Sequence, residues 1–446
     1  MITSIVKYDQ VTDKLRLDAE YYRPEFLKTE KLLKRTRYKL LFEVAKISKA
    51  RKNPAKKPDL YFKYIDISNV DLTFGTITTQ KIKGFLAPSR ARKLVRENDV
   101  IISTVRPNRN AVAIIPKELD GDICSTGFSV IKSEKINPYF LFAFLKTKFA
   151  IHQLVRQTMA SMYPAVSEND IANIIVPLVS ENIQKEIEEL VKQAHQKKKL
   201  ADEKYEEAEK SLYELLGFDE INLEFEKSFE AGAKEVFSTM RFDSEYYQPK
   251  YKKIIEILNK SGFKVEKLAR VVNVSAKKIN PRANPTKKIK YVELADINPS
   301  TGEIESFNEL YGYEAPSRAR IAIRSGDVLV ASLSGSLDNI GIVPQELNGE
   351  VASTGFFVIN SENYLNEFLF LLFRSEIMKK QLEQKTAGAI MAAVPKSVFG
   401  DLLVPIVPKQ KQENIAELAK QSFSLRKEAK QLLDEATEKI ENFHGK

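Results

Sequence analysis

The chain has 446 residues, with 70 Lys and Arg against 60 Asp and Glu, so its formal net charge of +10 has the sign expected for a polyanion-binding protein. A single cysteine, Cys124, excludes an intrachain disulfide, and no apolar run approaches the ~20 residues that span a bilayer. Since the N-terminus also lacks a basic flank followed by an apolar core, we expect a cytoplasmic protein. The length predicts two to four domains.

The first half of the chain predicts a globular α+β module. A helix is expected near residues 20–36, followed by strand-like segments at 61–68, 99–105 and 110–116, which carry β-branched and aromatic residues between turn signals. A second helix is expected at about 138–149, because Asn137 can cap it and Pro138 suits its first turn. The module therefore combines a sheet with helices at its margin.

A long helix is predicted next. Between Glu181 and Leu216 there is no Gly or Pro, and Gly217 ends the segment in the usual way. Apolar residues recur at steps of three and four, which is typical of a narrow coiled-coil seam. The seam includes Ile187, Leu190 and Leu212.

The second half of the chain repeats the first. Ala-Pro-Ser-Arg-Ala-Arg at 87–92 recurs at 315–320, and Ser-Thr-Gly-Phe at 125–128 recurs at 353–356, each time 228 residues further on. The segment 16–24 recurs at 241–249 with an offset of 225. A repeat of this length indicates a duplicated domain, because it is far too long for a solenoid unit.

A second long helix is predicted between Gln410 and Phe443. Its apolar positions, which include Ile415, Leu418, Leu425 and Ile440, nearly match the first seam when shifted back by 228. Lys197 stands where its copy has Leu425, and such a polar residue can set the register or face a partner. The two stripes would most simply bury each other, although each helix packing on its own module is an alternative. About 35 residues make a rod of roughly 50 Å.

The residue types that enzymes use for catalysis are scarce in this chain. The histidines are His152, His195 and His444, and they show no metal-ligand spacing. We find no phosphate-binding loop and no dinucleotide fingerprint. Cys124 is matched by Ala352 in the second copy, which indicates a small buried position rather than a reactive thiol. These absences together favour a recognition protein.

Two basic, proline-containing loops occupy corresponding places in the two halves, at 49–58 and 276–285. Arg and Lys supply phosphate contacts, while Asn and Arg also read base edges. A solvated turn is the alternative for either loop alone. The candidate DNA contacts are Lys49, Arg51, Lys52, Asn53 and Lys56 in the first loop and Lys277, Lys278, Asn280 and Arg282 in the second.

Other polar segments differ between the halves: 103–110 is cationic, whereas its copy at 331–338 is small and polar. Diverged loops on a duplicated scaffold suit two different readouts, so we add Arg106, Asn108, Arg109, Ser334, Ser336 and Asn339 as candidates. The segments 159–166 and 387–394 diverge similarly, and Tyr163 either contacts DNA or caps the core. Four arginines are shared by the two halves: Arg90 and Arg92 in the first, Arg318 and Arg320 in the second. They could clamp a phosphate, form a structural ion pair or dock a common partner, and we favour the phosphate clamp.

Taken in order, these motifs resemble a known family. The chain contains, twice and in the same order, Leu/Phe-Asp-x-Glu-Tyr-Tyr-x-Pro, an Asp-Val strand, Ser-Thr-Gly-Phe, Ala-Val with a downstream proline, and a long helix. This arrangement is similar to that of a type I restriction-modification DNA specificity (S) subunit. The resemblance covers nearly the whole chain. It implies two tandem α+β target-recognition domains, at 1–180 and 218–407. It also implies two long spacer helices, at 181–217 and 408–446, which form an antiparallel coiled coil.

The resemblance also implies a function without catalysis. Each domain would read one half of a bipartite double-stranded DNA target, which we expect to be asymmetric because the loops differ. The helices would set the spacer and dock two methyltransferase subunits, and restriction-translocase subunits would join the larger complex. S-adenosylmethionine, ATP and Mg²⁺ are expected only in those partners, with no cofactor or metal in this chain. A type IIB-like specificity subunit, a DNA-binding adaptor outside restriction-modification and an unrecognised enzyme are the alternatives.

Overall fold

A computed structural model describes residues 3–8, 11, 16–158, 163–218, 223–275, 277–388 and 392–443. The chain forms two compact units: unit 1 comprises Met1–Leu200 with Leu425–Lys446, and unit 2 comprises Ala201–Ser424. Each unit therefore contains one repeat together with part of each long helix, and the four-segment domain division stays a prediction. His444 and parts of the diverged segments 159–166 and 387–394 lie outside the described residues.

The described residues of unit 1 form ten short strands, with helices at their margin. Its strands are β1 (Tyr38–Leu40), β2 (Ala45–Ile47), β3 (Tyr61–Ile65), β4 (Lys81–Lys83), β5 (Ala91–Leu94), β6 (Val100–Ser103), β7 (Val112–Ile114), β8 (Ile123–Ser125), β9 (Phe128–Ser133) and β10 (Ile175–Pro177). Its helices are α1 (Pro24–Leu33), α2 (Leu41–Val44), α3 (Pro138–Lys146), α4 (Lys148–Gln157), α5 (Glu168–Ala172), the first part of α6 (Glu181–Leu216) and the end of the second long helix, α12 (Lys409–Asn442).

Unit 2 follows the same plan. Its strands are β11 (Lys264–Lys267), β12 (Asn273–Val274), β13 (Lys288–Val292), β14 (Asn308–Tyr311), β15 (Ala319–Ala322), β16 (Val328–Ala331), β17 (Ile340–Ile342), β18 (Val351–Ser353), β19 (Phe356–Asn360) and β20 (Leu403–Ile406). Its helices are the end of α6, α7 (Ala233–Thr239), α8 (Pro249–Lys260), α9 (Asn366–Arg374), α10 (Glu376–Lys385), α11 (Lys396–Phe399) and the first part of α12 (Lys409–Asn442).

The strand orders of the two units are identical. Unit 1 has one sheet of order β2-β9-β6-β7, a second of order β4-β3-β8-β5 and the pair β1-β10. Unit 2 has β12-β19-β16-β17, β14-β13-β18-β15 and β11-β20. In each second sheet one strand pair, β3 with β8 or β13 with β18, is parallel. The predicted duplication of an α+β domain is confirmed.

Side chains alternate between the two faces of β6, and unit 1 has a hydrophobic core on each face. Val100 and Ile102 pack with the helices, whereas Ile101 points to the other face and packs with residues of the second sheet. Cys124 lies in this inter-sheet core, fully buried, and its burial raises the pKa of the thiol to about 12. Such a thiol stays protonated and inert, as expected for a small buried position.

Side-chain caps and prolines determine where several helices begin and end. Asn137 caps α3 by accepting hydrogen bonds from the main-chain N–H groups of Tyr139 and Phe140, with Pro138 in the first turn as predicted. The helix ends three residues earlier than expected, because Thr147 caps a new helix by accepting from the N–H of Ala150. The opening helix is also shorter than the prediction and begins at Pro24.

The long helices α6 and α12, of 36 and 34 residues, pair antiparallel. Within unit 1, Glu186 pairs with Lys439 at 3.3 Å and Lys197 with Glu428 at 2.7 Å, so eleven residues forward on α6 correspond to eleven backward on α12. Within unit 2, the Ser422 hydroxyl donates to the main-chain oxygen of Ala201 at 2.7 Å. The predicted antiparallel pairing is confirmed, and in unit 1 the apolar stripes of the two helices share a core that also includes residues of the globular module, such as Phe142.

The seam runs partly along different residues from those expected. Of the residues predicted for the seam, Ile187, Leu212, Ile415, Leu418 and Ile440 are buried, whereas Leu190, Lys197 and Leu425 are half-buried. The buried positions nearby are Val191 and Lys198, one residue further on, because 3.6 residues per turn drift against a 3.5-residue repeat.

The buried polar seam residue of α6 is therefore Lys198 and not Lys197. The Lys198 ammonium lies 3.8 Å from the Asp71 carboxylate and 5.5 Å from the centre of the Phe74 ring. The equivalent position of α12 carries Arg426, which is also buried. Cations at matching positions of the two helices suit a device that sets the register.

Candidate nucleic-acid interface

Unit 1 holds four turns together at one edge by main-chain hydrogen bonds. The turns are 88–91, 103–110, 126–127 and 163–166. The bonds run from Thr126 N to Arg90 O (2.9 Å), Thr104 N to Gly127 O (2.8 Å), Arg106 N to Pro164 O (2.7 Å) and Val166 N to Thr104 O (2.9 Å). We call this set the turn frame, and residues 105–109 within it the variable loop. Its backbone is fixed independently of the side chains that it presents.

Unit 2 repeats the turn frame bond for bond, 228 residues further on. The bonds run from Thr354 N to Arg318 O (2.9 Å), Ser332 N to Gly355 O (2.8 Å), Ser334 N to Ala392 O (2.8 Å) and Val394 N to Ser332 O (2.8 Å). Residues 333–337 form its variable loop. The two loops are held by the same four hydrogen bonds but carry different side chains, and their backbones also differ locally, since Arg106 and Asn110 are left-handed and Ser334 and Asp338 are not. This is the organisation that two different specificities need.

The variable loop of unit 1 is cationic. The Arg106 guanidinium lies 5.7 Å from the centre of the Tyr163 ring, and Tyr163 is 67% exposed. Asn108 and Arg109 are exposed beside it. The structure thus brings together candidates that are 57 residues apart in sequence. Guanidinium groups at this edge can donate to phosphates or to guanine.

The variable loop of unit 2 presents small polar groups. Ser334 is exposed and Ser336 is half-buried. Asn339 lies just beyond the loop, and its amide nitrogen donates to the main-chain oxygens of Leu294 at 2.6 Å and Ile297 at 3.3 Å. This amide is therefore engaged within unit 2, and the two hydroxyls are the accessible polar groups among these three candidates.

Arg106 has a left-handed backbone, with φ of 51°. An L-residue in this conformation is strained by roughly 1 kcal/mol, and such strain is common at functional sites. Asn98 is also left-handed, at 64°, and its counterpart Gly326 shows that glycine is accepted at that position. Glycine at position 98 would relieve backbone strain alone, whereas glycine at position 106 would also remove a guanidinium group. Comparing the two substitutions therefore separates the effect of strain from the effect on recognition.

We expect Arg106→Gly to leave the free energy of unfolding unchanged or to raise it by up to ~1 kcal/mol, because glycine accepts positive φ without strain. The same change should weaken binding to target DNA by about tenfold, since one charge-assisted contact is lost. Thermal melts and fluorescence anisotropy measure the two effects. Asn98→Gly is the matched control, which should change stability alone; equal affinity of both variants would contradict the assignment.

The basic loop of unit 1 lies along β5. Its candidates Lys49, Arg51, Lys52 and Lys56 are exposed, and the Lys52 ammonium donates to the main-chain oxygen of Gly121 at 3.3 Å. Asn53 has a local structural role, because its side chain accepts a hydrogen bond from the N–H of Ala55 at 3.2 Å. The loop therefore presents four ammonium or guanidinium groups on a backbone that is anchored at both ends.

In unit 2 the corresponding loop is also exposed at Lys277, Lys278, Asn280 and Arg282. The Asn280 side-chain oxygen accepts a hydrogen bond from Arg320 at 2.6 Å. Arg282 donates to the main-chain oxygen of Ala315 at 3.0 Å. Two of these four side chains thus brace the loop, and the two lysines extend from it.

A glycine anchors each basic loop. A Cβ atom at Gly84 would lie less than 3.0 Å from the main-chain oxygens of Pro54 and Lys57, and one at Gly312 would meet those of Pro281 and Asn284 equally closely. Since the obstacle is main chain, no side-chain rotation relieves it. Only glycine permits this approach of the basic loop to the turn after β4 or β14.

Gly84→Ala should displace the basic loop of unit 1 and lower the free energy of unfolding by about 1–3 kcal/mol, the usual result of overpacking. We expect DNA affinity to fall as well, because the exposed cations move with the loop. Thermal melts and DNA titrations check both effects. Gly232→Ala is the matched control, because a Cβ there meets nothing within 4 Å; equal melting temperatures of the two variants would refute the anchor.

The shared arginines divide into two kinds. Arg92 and Arg320 are each the extra residue of a β-bulge, since β5 and β15 shift register against β8 and β18 at those positions. A bulge re-aims a side chain, which gives their persistence a structural component. Arg90 and Arg318 are exposed and remain available to a phosphate.

The histidines that the structure describes have packing roles. His195 Nε2 lies 2.9 Å from the main-chain oxygen of Phe74, and its ring packs edge-on against Phe142. The equivalent residue in unit 2 is Phe423, which packs edge-on against Phe370 in the same way. Burial lowers the pKa of His195, so the ring stays neutral at physiological pH. His152 similarly lies within hydrogen-bonding distance, 2.8 Å, of the Thr29 hydroxyl.

Two further observations concern the described part of the chain. No group of three or more His, Cys, Asp and Glu side chains there is arranged to hold a metal ion. Among the helices of the same ranges, none combines the length and apolar character needed to cross a membrane.

Two copies of one α+β domain, each with a constant turn frame and its own exposed side chains, define a tandem recognition protein. A family model agrees with this class. The chain belongs to the type I restriction modification DNA specificity domain family, whose model matches residues 37–210 and 260–437.

Individual relatives are distant. The specificity subunit of type I restriction enzyme MjaVIII from Methanocaldococcus jannaschii is 24% identical over 375 residues, which cover 78% of each chain. Among solved structures, the HsdS subunit from Thermoanaerobacter tengcongensis is 22% identical, with 92% of this chain and 96% of that chain covered and a TM-score of 0.36. A type I S subunit from M. genitalium is 12% identical, with 91% and 95% covered and a TM-score of 0.48.

Proposed function

We propose that the chain is the sequence-specific DNA-binding subunit of a type I restriction-modification complex, in which units 1 and 2 each read one half of a bipartite target. The turn frame is the observation that carries this proposal. Its hydrogen bonds are the same in both units, while Arg106 and Arg109 are replaced by Ser334 and Leu337. Constant positioning with different side chains predicts two different half-targets, and hence an asymmetric sequence.

The long helices supply the second part of the proposal. Paired helices resist bending better than a loop, so α6 and α12 suit a strut that fixes the unspecified spacer between the half-targets. We also assign to them the docking of two methyltransferase subunits. Restriction-translocase subunits would join that assembly in the cytoplasm.

The chemistry is assigned to the partners. S-adenosylmethionine would serve the methyltransferases, with methyl transfer to an adenine that they flip out of the duplex. ATP and Mg²⁺ would serve the restriction-translocase subunits. The present chain contributes binding and orientation, which suits the packing roles of His152 and His195.

Methylation-sensitive sequencing tests this function. The chain would be co-expressed with its methyltransferase in a host without adenine methylation, and the modified motif would be read from genomic DNA. We expect one asymmetric motif made of two defined stretches around an undefined spacer of fixed length. A single palindromic motif would contradict the proposal that the two units read different half-targets. The absence of any modified motif would refute the proposed function.

A further inference from the structure

A cation–aromatic pair lies on the hairpin that follows the basic loop in unit 1. Tyr61 on β3 and Lys83 on β4 are direct cross-strand partners. The Lys83 ammonium lies 5.6 Å from the centre of the Tyr61 ring and 6.0 Å from that of Phe85. Both rings are exposed, at 62% and 61%. The lysine is therefore flanked by two aromatic faces that solvent reaches.

The same pair occurs in unit 2 with its members exchanged. Lys288 on β13 is the cross-strand partner of Tyr311 on β14, and its ammonium lies 5.5 Å from the Tyr311 ring. Tyr311 stacks on Tyr313, with ring centres 5.8 Å apart and planes at 10°. Tyr313 occupies the position of Phe85 and is equally exposed, at 61%. We call the two sets, Tyr61–Lys83–Phe85 and Lys288–Tyr311–Tyr313, the cation–aromatic patches.

The exchange indicates what the two patches have in common. Both strand positions differ between the units, yet each unit keeps one ammonium beside two exposed rings. Core packing does not explain this, because the rings face solvent, and an exposed cation–π pair adds little to stability. What persists is therefore a surface of defined chemistry.

Each patch adjoins a basic loop. The N–H of Phe85 donates to the main-chain oxygen of Pro58 at 3.0 Å, and that of Tyr313 donates to Pro285 at 3.1 Å. Exposed lysines stand nearby, with Lys56 and Lys57 in unit 1 and Lys287 in unit 2. Acidic neighbours are also present: Asp59, Glu309 and Glu314, of which Glu314 accepts a hydrogen bond from the main-chain N–H of Tyr311.

Resting on the proposed function, we propose that each cation–aromatic patch binds the DNA backbone beside the half-target of its unit. The lysine would contact a phosphate while the rings cover the sugars, a contact without sequence information. A shared protein partner fits less well, because the apolar neighbours Leu60 and Leu86 are replaced by Lys287 and Glu314 in unit 2. Both patches keep one ammonium beside two rings. This suits a ligand with the same chemistry at both half-targets, such as the sugar-phosphate backbone.

The test uses the chain assembled with its methyltransferase subunits, and measures affinity for the target duplex and a scrambled duplex over a range of salt concentrations. We expect Lys83→Ala to weaken binding to both duplexes alike by about threefold to tenfold, and to reduce the salt slope by about one contact. The double exchange Tyr61→Lys with Lys83→Tyr rebuilds the arrangement of unit 2 and should retain wild-type affinity. Lys28→Ala, an exposed lysine on α1, is the matched control.

Three results would overturn the inference. Lys83→Ala could leave affinity and salt slope unchanged, or it could alter only the preference for target over scrambled DNA. It could also weaken assembly with the methyltransferase in size-exclusion chromatography before DNA is added, which would make the patch a protein contact. Failure of the proposed function itself is distinguishable, because the wild-type complex would then show no preference for the target duplex.

Discussion

Transplanting the variable loop of unit 2 into unit 1 is expected to abolish recognition of one half-target while leaving the fold intact. Residues 105–109, Val-Arg-Pro-Asn-Arg, would become Leu-Ser-Gly-Ser-Leu, the sequence of 333–337. The hydrogen bonds of the turn frame use main-chain atoms, and the same four bonds hold the grafted sequence in unit 2, so we expect them to form again around the graft.

The expected loss is large because two guanidinium groups leave the interface. A good contact between arginine and a base is worth about 1–3 kcal/mol, so the removal of Arg106 and Arg109 should weaken target binding by about 30-fold or more. Methylation of the native motif should stop, while the melting temperature should change by only a few degrees. Anisotropy titrations, methylation sequencing and thermal melts measure the three quantities.

A second exchange between the units controls for grafting itself. Lys117→Gln with Asp120→Asn gives the turn 117–120 the residues of its copy at 345–348 and leaves the net charge unchanged. Asp120 and Asn348 both accept a main-chain N–H, so this turn should also keep its shape. We expect the native target to be retained. If the variable-loop graft also kept the native target, the reading residues would lie elsewhere in unit 1.

Lengthening both long helices by one heptad should lengthen the target spacer by about three base pairs and leave both half-targets unchanged. Seven helical residues add about 10.5 Å at 1.5 Å each, and successive base pairs are about 3.4 Å apart. The insertions belong after Leu200 in α6 and after Ser424 in α12. The ion pair of Lys197 with Glu428 and the contact of Ser422 with Ala201 then keep their partners.

Inserting the heptad into α6 alone supplies the contrast. The seam partners would then be out of register, and we expect the melting temperature and target binding to fall together. Sequencing of the modified motif checks the spacer in both cases. An unchanged spacer in the double insertion would show that the helices do not measure the distance between half-targets.

Much of the fold was accessible from the sequence because the internal repeat acts as its own comparison. Segments that persist, such as 87–92 and 125–128, form the constant turn frame, whereas 103–110 and 331–338 differ in the side chains that frame presents. The cap at Asn137 and the pairing of α6 with α12 also follow from local chemistry and periodicity. These features depend on residues close together in sequence or on a regular spacing.

Long-range pairing accounts for what sequence reasoning missed. The bulges at Arg92 and Arg320 arise where β5 and β15 meet β8 and β18, and the role of Gly84 depends on a loop almost thirty residues earlier. Tyr61 and Lys83 meet only because β3 pairs with β4. A signal was nevertheless present: aligning the halves at these two positions shows the Tyr–Lys exchange.

The composition of unit 1 has a consequence for how the protein is made. Ile187 and Val191 of α6 pack in the same core as Ala429, Leu433 and Ile440 near the other end of the chain. During synthesis, that apolar stripe lacks its α12 partners until the ribosome has translated α12, although the earlier strands are already available to fold. A product that ended before α12 would leave this stripe without its α12 partners, and we expect such a product to be degraded faster than the full chain.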